Sequence, residues 1–302
     1  MGPVRVFAGG IPSKLWPLSG VCSLARFLTF TLLILALGLG IDSAQGAQTL
    51  LPRENHPWGG FGVGSWKRVR VTTETLNEKG EVAGVNTTET TTTLVSADEQ
   101  FYTLKVEVVV EVSGKRFVSQ PQVITQGYSG ESSGQTVDVK SLGESSVSIN
   151  GEKVPSEIRQ ATINGNEFSR ITKVHYSPDV APFVLKRETT AVDAAGKSTG
   201  SETNVEVIAV DMPYKVLAEL KNTSYVRTTN KGPKSSTVTL EVNCEEVPGG
   251  VVAHTSKEMD PEGHVVRRST LDLVDFHISN NDDSRIYRTR RQQRRMERQA
   301  RN

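Results

Sequence analysis

The sequence has few cysteines and few aromatic residues. Only Cys22 and Cys244 occur in 302 residues, and aromatic residues make up 6% of the chain. If the first 46 residues are removed, Cys244 is left alone, and a lone thiol cannot form an internal disulfide. The acidic neighbours of Cys244 raise a thiol pKa, so we expect a small strand residue there and no reactive nucleophile. A chain of this size then depends on a hydrophobic core.

The sequence also lacks the motifs of common catalytic and cofactor sites. We find no strand-to-helix Gly-x-Ser-x-Gly elbow, no Walker loop and no Gly-x-Gly-x-x-Gly between a strand and a helix. Five histidines are present, but none are spaced to converge on a metal along one strand. We therefore expect no catalytic residue, no metal and no cofactor. A hydrolase stays an alternative, because triads are defined by geometry that a sequence does not display.

The N-terminal region has no acidic residue before its apolar segment. Residues 1–26 carry Arg5, Lys14 and Arg26, and an apolar run follows at 27–40. A basic lead and an apolar run of this length are typical of a secretory signal, whereas a membrane-spanning helix needs about 20 apolar residues. We predict a signal peptide at 1–46 and export to the periplasm or cell envelope. An uncleaved signal acting as a membrane anchor is the alternative.

The body of the chain has no segment with helical periodicity. Val and Thr are abundant, and Leu104, Val106, Val108, Val110 and Val112 alternate with polar residues along 104–112. This spacing of two predicts a sheet with one buried and one wet face. Thr237–Val242 repeats the alternation. The predicted fold is all-β: an antiparallel meander forming a strongly curved sheet or half-open β-barrel over residues 66–277.

One hairpin pattern recurs three times. Asn77, Asp193 and Asp260 each follow about nine strand residues, and each is followed three positions later by glycine. Asn or Asp at the first position and Gly at the fourth favour a type I turn. Because the three glycines are unequally spaced, we interpret them as repeated local design and not as a solenoid.

A short segment in mid-chain carries a resemblance to known proteins. Residues 176–183 read Tyr-Ser-x-x-Val-x-Pro-Phe, and a lysine-bearing strand with an Asp193-x-x-Gly196 hairpin follows. This arrangement resembles secreted bacterial families of uncharacterised function, some of them from planctomycetes. The strand and turn pattern over 60–276 is also similar to the half-open β-barrel of lipoprotein-sorting carriers. No ligand position of that carrier family matches a position here.

Aromatic residues and glycines concentrate in the lead segment, 47–65, and at the start of the first strand. Trp58, Phe61 and Trp66 are interleaved with four glycines. These rings are our candidate contacts for an apolar ligand. In the alternative interpretation they plug the open end of the sheet, where glycine lets the backbone approach closely.

The C-terminal tail, 278–302, holds most of the charge asymmetry. Residues 284–302 contain eight arginines and one acid, whereas the net charge of the whole chain is +1. We predict contact with an anionic envelope surface through Arg288, Arg291, Arg294, Arg295 and Arg298. A solvated tail that folds back on the acidic body is the alternative, and nucleic acid is not an expected partner.

These observations favour an exported, non-enzymatic binding protein of the cell envelope. Its curved sheet would hold a lipid-like or other apolar ligand. A structural or interaction protein with a filled core is the first alternative, and a hydrolase without a recognisable motif is the second.

Overall fold

Strands make up nearly all the regular structure of the described residues. The computed structural model describes residues 49–165 and 168–279, all within the unit 36–302. The first seven strands are β1 (Trp66–Leu76), β2 (Val82–Ala97), β3 (Phe101–Val112), β4 (Lys115–Val118), β5 (Gln122–Gly127), β6 (Thr136–Ile149) and β7 (Glu152–Asn164). The others are β8 (Phe168–Tyr176), β9 (Val184–Asp193), β10 (Ser198–Val216), β11 (Glu219–Lys231), β12 (Ser236–Asn243), β13 (Val251–Met259) and β14 (Val265–His277).

All fourteen strands belong to one antiparallel sheet that is not closed. The order is β4-β3-β2-β1-β14-β13-β12-β11-β10-β9-β8-β7-β6, and β5 pairs with β3 beside β4. Every neighbour in this order except β1 and β14 is also consecutive in the chain. The predicted all-β antiparallel meander is therefore confirmed. Over the described ranges, the one helical element is a 3-10 turn at Arg53–Asn55, and no helix is long and apolar enough to span a bilayer.

The sheet is strongly curved, and contacts between its two ends demonstrate this. Gly130 follows β5 at one end of the sheet, whereas Arg170 lies on β8 near the other end. The Arg170 guanidinium donates a 3.0 Å hydrogen bond to the Gly130 carbonyl. A flat sheet would hold these strands far apart, because neighbouring strands are about 4.8 Å apart.

The three recurring turns form as predicted. In each, the glycine N–H donates to the backbone carbonyl of Asn77, Asp193 or Asp260, at 2.9–3.1 Å. The Asx side chain then accepts from the backbone N–H four positions on, at 2.8–3.0 Å. Each glycine has a positive φ of 77–89°. This is a type I turn closed by a left-handed glycine, one of the common hairpin connections.

Alternation along β3 separates two faces of the sheet. Val106 and Val108 are buried, while Lys105 and Glu107 point to the other side and form a 2.9 Å ion pair. Directly paired residues share a face, so the strand register extends this division across the whole sheet. We call the face that carries Val106 and Val108 the inner face, and the opposite one the outer face.

The alternation predicted for Thr237–Val242 is wrong in its direction. Leu240 is on the outer face and 47% exposed, while Glu241 lies opposite Val226 on the inner face. The apolar Val242 is nevertheless buried, because it packs in a cluster with Val216, Val247 and Cys244. Val242 is therefore buried because residues of the loop after β12 cover it, and not because it lies on the inner face.

Cys244 lies directly after β12 and not within a strand, which corrects the expected placement. It is a free cysteine, fully buried in the cluster of Val216, Val242 and Val247. Burial is the main cause that raises the pKa of its thiol, and a hydrogen bond with the Glu246 backbone opposes this rise. The expectation of an unreactive thiol therefore holds on physical grounds.

The inner face as a candidate ligand site

One end of the inner face is covered by aromatic residues of the lead segment. Trp58 and Phe61 are buried in a cluster with Leu94, Tyr102 and Tyr128. Tyr102 and Leu94 belong to strands β3 and β2, so the lead segment packs on the sheet. Contact of Trp58 and Phe61 with a ligand stays a prediction.

Trp66 is not brought together with these two rings. It begins β1 on the outer face, where it stacks on His277 with ring centroids 6.5 Å apart. The Arg68 guanidinium carbon lies 5.6 Å from the centre of the Trp66 ring. Of the three aromatic candidates, two therefore share a site and the third lies on the opposite side of the sheet.

His56 anchors the aromatic cluster by packing and by a hydrogen bond. Its ring centroid is 4.7 Å from that of Tyr102 and 5.3 Å from that of Tyr128. The Trp58 backbone N–H donates to its Nδ1 at 3.2 Å. Burial lowers the pKa of His56 to about 3, so the ring is neutral at physiological pH and its Nδ1 accepts this bond.

The beginning of the described lead segment packs at the far side of the sheet. Leu50 and Leu51 join a cluster with Val174, Tyr176 and Phe183. The Arg159 guanidinium donates to the carbonyls of residues 49 and 50, and it lies 4.2 Å from the centre of the Tyr176 ring. The segment thus spans from β8 to β3 across the curved sheet.

Between these two covered regions, a row of inner-face residues crosses six strands. Each member is directly opposite the next in register: Val71, Leu271, His254, Glu241, Val226 and Val207. Val226 and Val207 are buried, whereas the first four members are only half-buried. Solvent therefore reaches the inner face along β1, β14, β13 and β12.

A second, parallel row is rich in hydroxyl groups. It runs through Thr73, Ser269, Ser256, Thr239 and Thr228 and continues to Val205, Arg187 and Val174. The Thr239 and Ser256 hydroxyls are hydrogen-bonded at 2.9 Å. The threonine run at 87–93 contributes as well, since Thr88 and Thr90 pair with Val71 and Val69. About half of this run therefore lies on the inner face.

Two cations on the inner face interact with one carboxylate on the same face. Glu241 is on β12, and Lys67 and Arg187 lie three strands away from it on either side, on β1 and β9. Each of these cations interacts electrostatically with Glu241. Because three strands separate Glu241 from each cation, these side chains interact only if all of them extend toward the concave side of the sheet.

Burial shifts the pKa of each of these groups toward its neutral form. It lowers the pKa of Lys67 to about 8 and also lowers that of Arg187. It raises the pKa of Glu241, against the opposing effects of Asn243, Arg187 and Lys67. Each of these charges therefore carries a desolvation cost, which the attraction between the opposite charges partly offsets.

Sequence reasoning missed this cluster. Lys67 shares its strand face with Val69 and Val71, and the spacing of two could have placed it on the buried side. Glu241 gave a misleading signal, because the apolar Leu240 and Val242 flank it on the opposite face.

A Gly-x-Ser-x-Gly string, Gly130–Gly134, is present but does not form a nucleophile elbow. It lies in the connection from β5 to β6, with no helix after it, and Ser132 is only 2% exposed. A catalytic elbow instead presents its serine hydroxyl at the top of a sheet before a helix.

His254 and His264 do not converge on a common partner. His254 lies opposite Leu271, and Met259 lies opposite Val265, which leaves His264 in the turn. Within residues 49–165 and 168–279, no group of three His, Cys, Asp or Glu side chains is placed to hold a metal ion.

Two predicted features lie outside the described residues. They are the signal peptide at 1–46 and the arginines of the tail, Arg288, Arg291, Arg294, Arg295 and Arg298. Both stay predictions from the sequence.

No protein-family model and no curated protein matches this chain. Several solved structures are distantly similar, and three of them follow. A proposed exported protein with a YmcC-like fold from Bacteroides fragilis is 10% identical with a TM-score of 0.30, covering 72% of this chain and 99% of its own. A proposed lipoprotein from Parabacteroides distasonis is 11% identical with a TM-score of 0.27, and the match covers 77% of this chain and 100% of that one. A DUF1329 family protein from Desulfovibrio piger is 9% identical with a TM-score of 0.31, and the match covers 72% of this chain and 86% of that one. Superpositions this loose do not define a shared fold.

Proposed function

We propose that this chain is an exported, non-enzymatic binding protein of the cell envelope, which holds an amphiphilic, lipid-like ligand against its inner face. Export is supported by the basic lead and apolar run at 1–40. Ligand binding is supported by one observation above the others. The middle of the inner face, at Val71, Leu271, His254 and Glu241, is reachable by solvent, while both sides of it are covered by buried clusters.

The chemistry of this surface favours an amphiphile over a purely apolar molecule. Val71 and Leu271 offer apolar contact, and the hydroxyl row and Glu241 offer polar contact on the same face. A ligand of mixed character would satisfy both, because buried polar groups need hydrogen-bond partners.

The test is native mass spectrometry of the protein purified from envelope extracts without detergent. We expect a bound amphiphile that is lost on partial unfolding. A fluorescent fatty acid added to stripped protein should then bind and be displaced by the extracted amphiphile. A protein without any bound mass and without probe binding would instead favour the filled-core structural protein.

The exported location has a separate test. N-terminal sequencing of protein recovered outside the cytoplasm should find a terminus at or near Ala47. An intact Met1 terminus in the membrane fraction would replace the cleaved signal by an anchor.

A further inference from the structure

The inner face changes from apolar to polar along the strands. On β1 its residues change from Val69 and Val71 to Thr73 and Thr75, and Thr75 lies two positions before the turn residue Asn77. The neighbouring β14 shows the same change, because Leu271 pairs with Val71 and the next inner-face residue toward the turns, Ser269, pairs with Thr73. The polar part therefore lies toward the end of the sheet that carries the Asn77 turn.

A third row of inner-face residues, two positions nearer this end than the hydroxyl row, is polar on six neighbouring strands. Its members are directly paired in register: Thr75, Arg267, Glu258, Thr237, Asn230 and Thr203. All of them except Thr75 are half-buried. Neighbouring strands are about 4.8 Å apart, and two residues along a strand span about 6.6 Å. The third row and the hydroxyl row therefore form one continuous surface on β1, β14, β13, β12 and β11, which we call the polar rows.

The polar rows offer hydrogen-bond donors and acceptors without a net charge. Arg267 and Glu258 form a 3.0 Å ion pair, and the other members on these five strands are uncharged. The Asn230 side-chain oxygen accepts a 2.8 Å hydrogen bond from the Thr203 hydroxyl. Among the described residues, no hydrogen bond of the Asn230 side-chain NH2 group occurs, so this donor faces the concave side unused. Each serine or threonine hydroxyl can both donate and accept.

The opposite end of the same face is covered by the aromatic cluster. A Cβ at Gly249 would lie 2.9 Å both from the Trp58 ring and from Lys67 Nζ, which places Trp58 near the start of β1. Thr73 lies six residues further along this strand, about 20 Å away. An extended twelve-carbon chain is shorter than this distance. It can therefore reach from the polar rows past Val71 toward the aromatic cluster.

We propose that the polar rows bind an uncharged head group with several hydroxyls, such as a sugar, and that the alkyl chain of the same ligand points toward Trp58. This inference rests on the proposed function and specifies the head group of its ligand. Hydroxyls of the ligand can replace water as partners of Thr239, Ser256 and Asn230. An anionic head group gains less here, because Arg267 already pairs with Glu258.

The first test compares three probes with the same twelve-carbon chain, each below its critical micelle concentration. Dodecyl maltoside is uncharged and rich in hydroxyls, dodecyldimethylamine oxide has no net charge and no hydroxyl, and dodecyl phosphate is anionic. Titration calorimetry on the wild-type protein should give the tightest binding for dodecyl maltoside.

A matched pair of double variants locates the contact. Thr228 and Thr239 are directly paired on the inner face, and replacing both by valine removes two hydroxyls at nearly constant volume. This change should weaken dodecyl maltoside about 10-fold and leave dodecyldimethylamine oxide unchanged. The control replaces Thr255 and Thr270 by valine, because they are directly paired and exposed on the outer face. It should leave the affinity for all three probes unchanged.

The direction of the ligand has an independent test that keeps the polar rows intact. Trp66→Phe leaves Trp58 as the only tryptophan after position 46. Bromine quenches tryptophan emission only at close range. Dodecyl maltoside brominated at the last carbon of its chain should therefore quench Trp58, whereas the same probe brominated at the second carbon should not. The opposite pattern would place the head group at the Lys67 end and overturn the proposal.

The outcomes separate the inference from the function it rests on. Equal affinity for the three probes, or tightest binding of dodecyl phosphate, would overturn the hydroxyl-rich head group and leave an amphiphile carrier. Absence of binding by every chain-bearing probe would overturn the proposed function itself. Maltose binding as tightly as dodecyl maltoside would support the polar rows as a sugar site while contradicting a role for the alkyl chain.

Discussion

The Asn55 side-chain amide donates a 2.5 Å hydrogen bond to the Tyr176 hydroxyl, across 121 positions of the chain. It joins the lead segment to β8, and both residues are buried. Together with the Arg159 contacts, it makes residues 49–65 part of the folded unit. The lead segment is therefore packed on the sheet and contributes to its stability.

Tyr176→Phe should lower the free energy of unfolding by about 1–3 kcal/mol. The change removes the hydroxyl and leaves the buried Asn55 amide without this acceptor. Urea denaturation followed by circular dichroism measures the effect. Tyr214→Phe is the control, because no hydrogen bond of the Tyr214 hydroxyl occurs among the described residues. Equal stability of the two variants would show that the hydrogen bond between Asn55 and Tyr176 contributes little to the fold.

Gly249→Ala should be much more destabilising than Gly80→Ala. Both glycines have similar positive φ, +74° and +78°, so the backbone penalty for alanine is about 1–2 kcal/mol at each. A Cβ at 249 would also lie 2.9 Å from the Trp58 ring and from Lys67 Nζ, whereas nothing lies within 4 Å at 80. We expect Gly249→Ala to cost about 1–3 kcal/mol more, as overpacking does.

The measurement for this pair is thermal unfolding together with tryptophan emission. A shift in emission in Gly249→Ala alone would report movement of the Trp58 ring. If the two variants unfold at the same temperature, Trp58 is not packed on the loop as described.

The half-buried imidazole of His56, whose pKa is lowered by its protein surroundings, should make the protein sensitive to acid. The unfolded state takes up a proton near the ordinary pKa of 6.5, and the folded state only near 3. This part of the stability is therefore complete above pH 6.5 and is lost as the pH falls toward 3, by up to about 1.4 kcal/mol per pH unit.

His56→Asn tests this, because the asparagine carbonyl can replace Nδ1 as acceptor for the Trp58 N–H without titrating. The variant loses ring packing on Tyr102 and Tyr128 and should be less stable at neutral pH. Its deficit relative to wild type should shrink as the pH is lowered. A deficit that stays constant from pH 7 to pH 4 would show that His56 titrates normally.

The parts of this fold that the sequence predicted are those that depend on near neighbours. Alternation along 104–112 and the turns at Asn77, Asp193 and Asp260 are set by residues within a few positions of one another. The proximity of the charged side chains on the inner face depends instead on which distant strands face one another across the curved sheet. Arg187 and Glu241 lie on β9 and β12, which do not pair with each other, so their interaction depends on the curvature of the whole sheet.

The placement of Trp58 and Phe61 has the same origin. Their glycine-rich context indicated close backbone approach, which occurs where the Gly249 N–H donates a 2.9 Å hydrogen bond to the Pro57 carbonyl. The sequence left open whether the rings plug the sheet or contact a ligand. Their burial against β2 and β3 identifies the packing surface and leaves ligand contact to experiment.

The arginine-rich tail provides the last prediction. Deleting residues 284–302 should leave thermal stability nearly unchanged, because Ile286, Tyr287 and Met296 offer little apolar surface for packing on the sheet. The deletion should weaken retention on heparin and on anionic lipid vesicles at low salt. Each arginine near an anionic surface contributes about 1 kcal/mol, and the attraction decays over a Debye length of about 8 Å at physiological salt.

A variant of unchanged length separates the charge of the tail from its length. Replacing Arg288, Arg291, Arg294, Arg295 and Arg298 by glutamine keeps every residue in place, and it should reduce retention nearly as much as the deletion does. Retention that persists in both variants would mean that the acidic body already neutralises the tail, which is the fold-back alternative. A large loss of stability on deletion would instead make the tail a packed part of the domain. Because salt screens exposed charges but not buried ones, retention by the wild-type chain should also fall steeply as ionic strength rises.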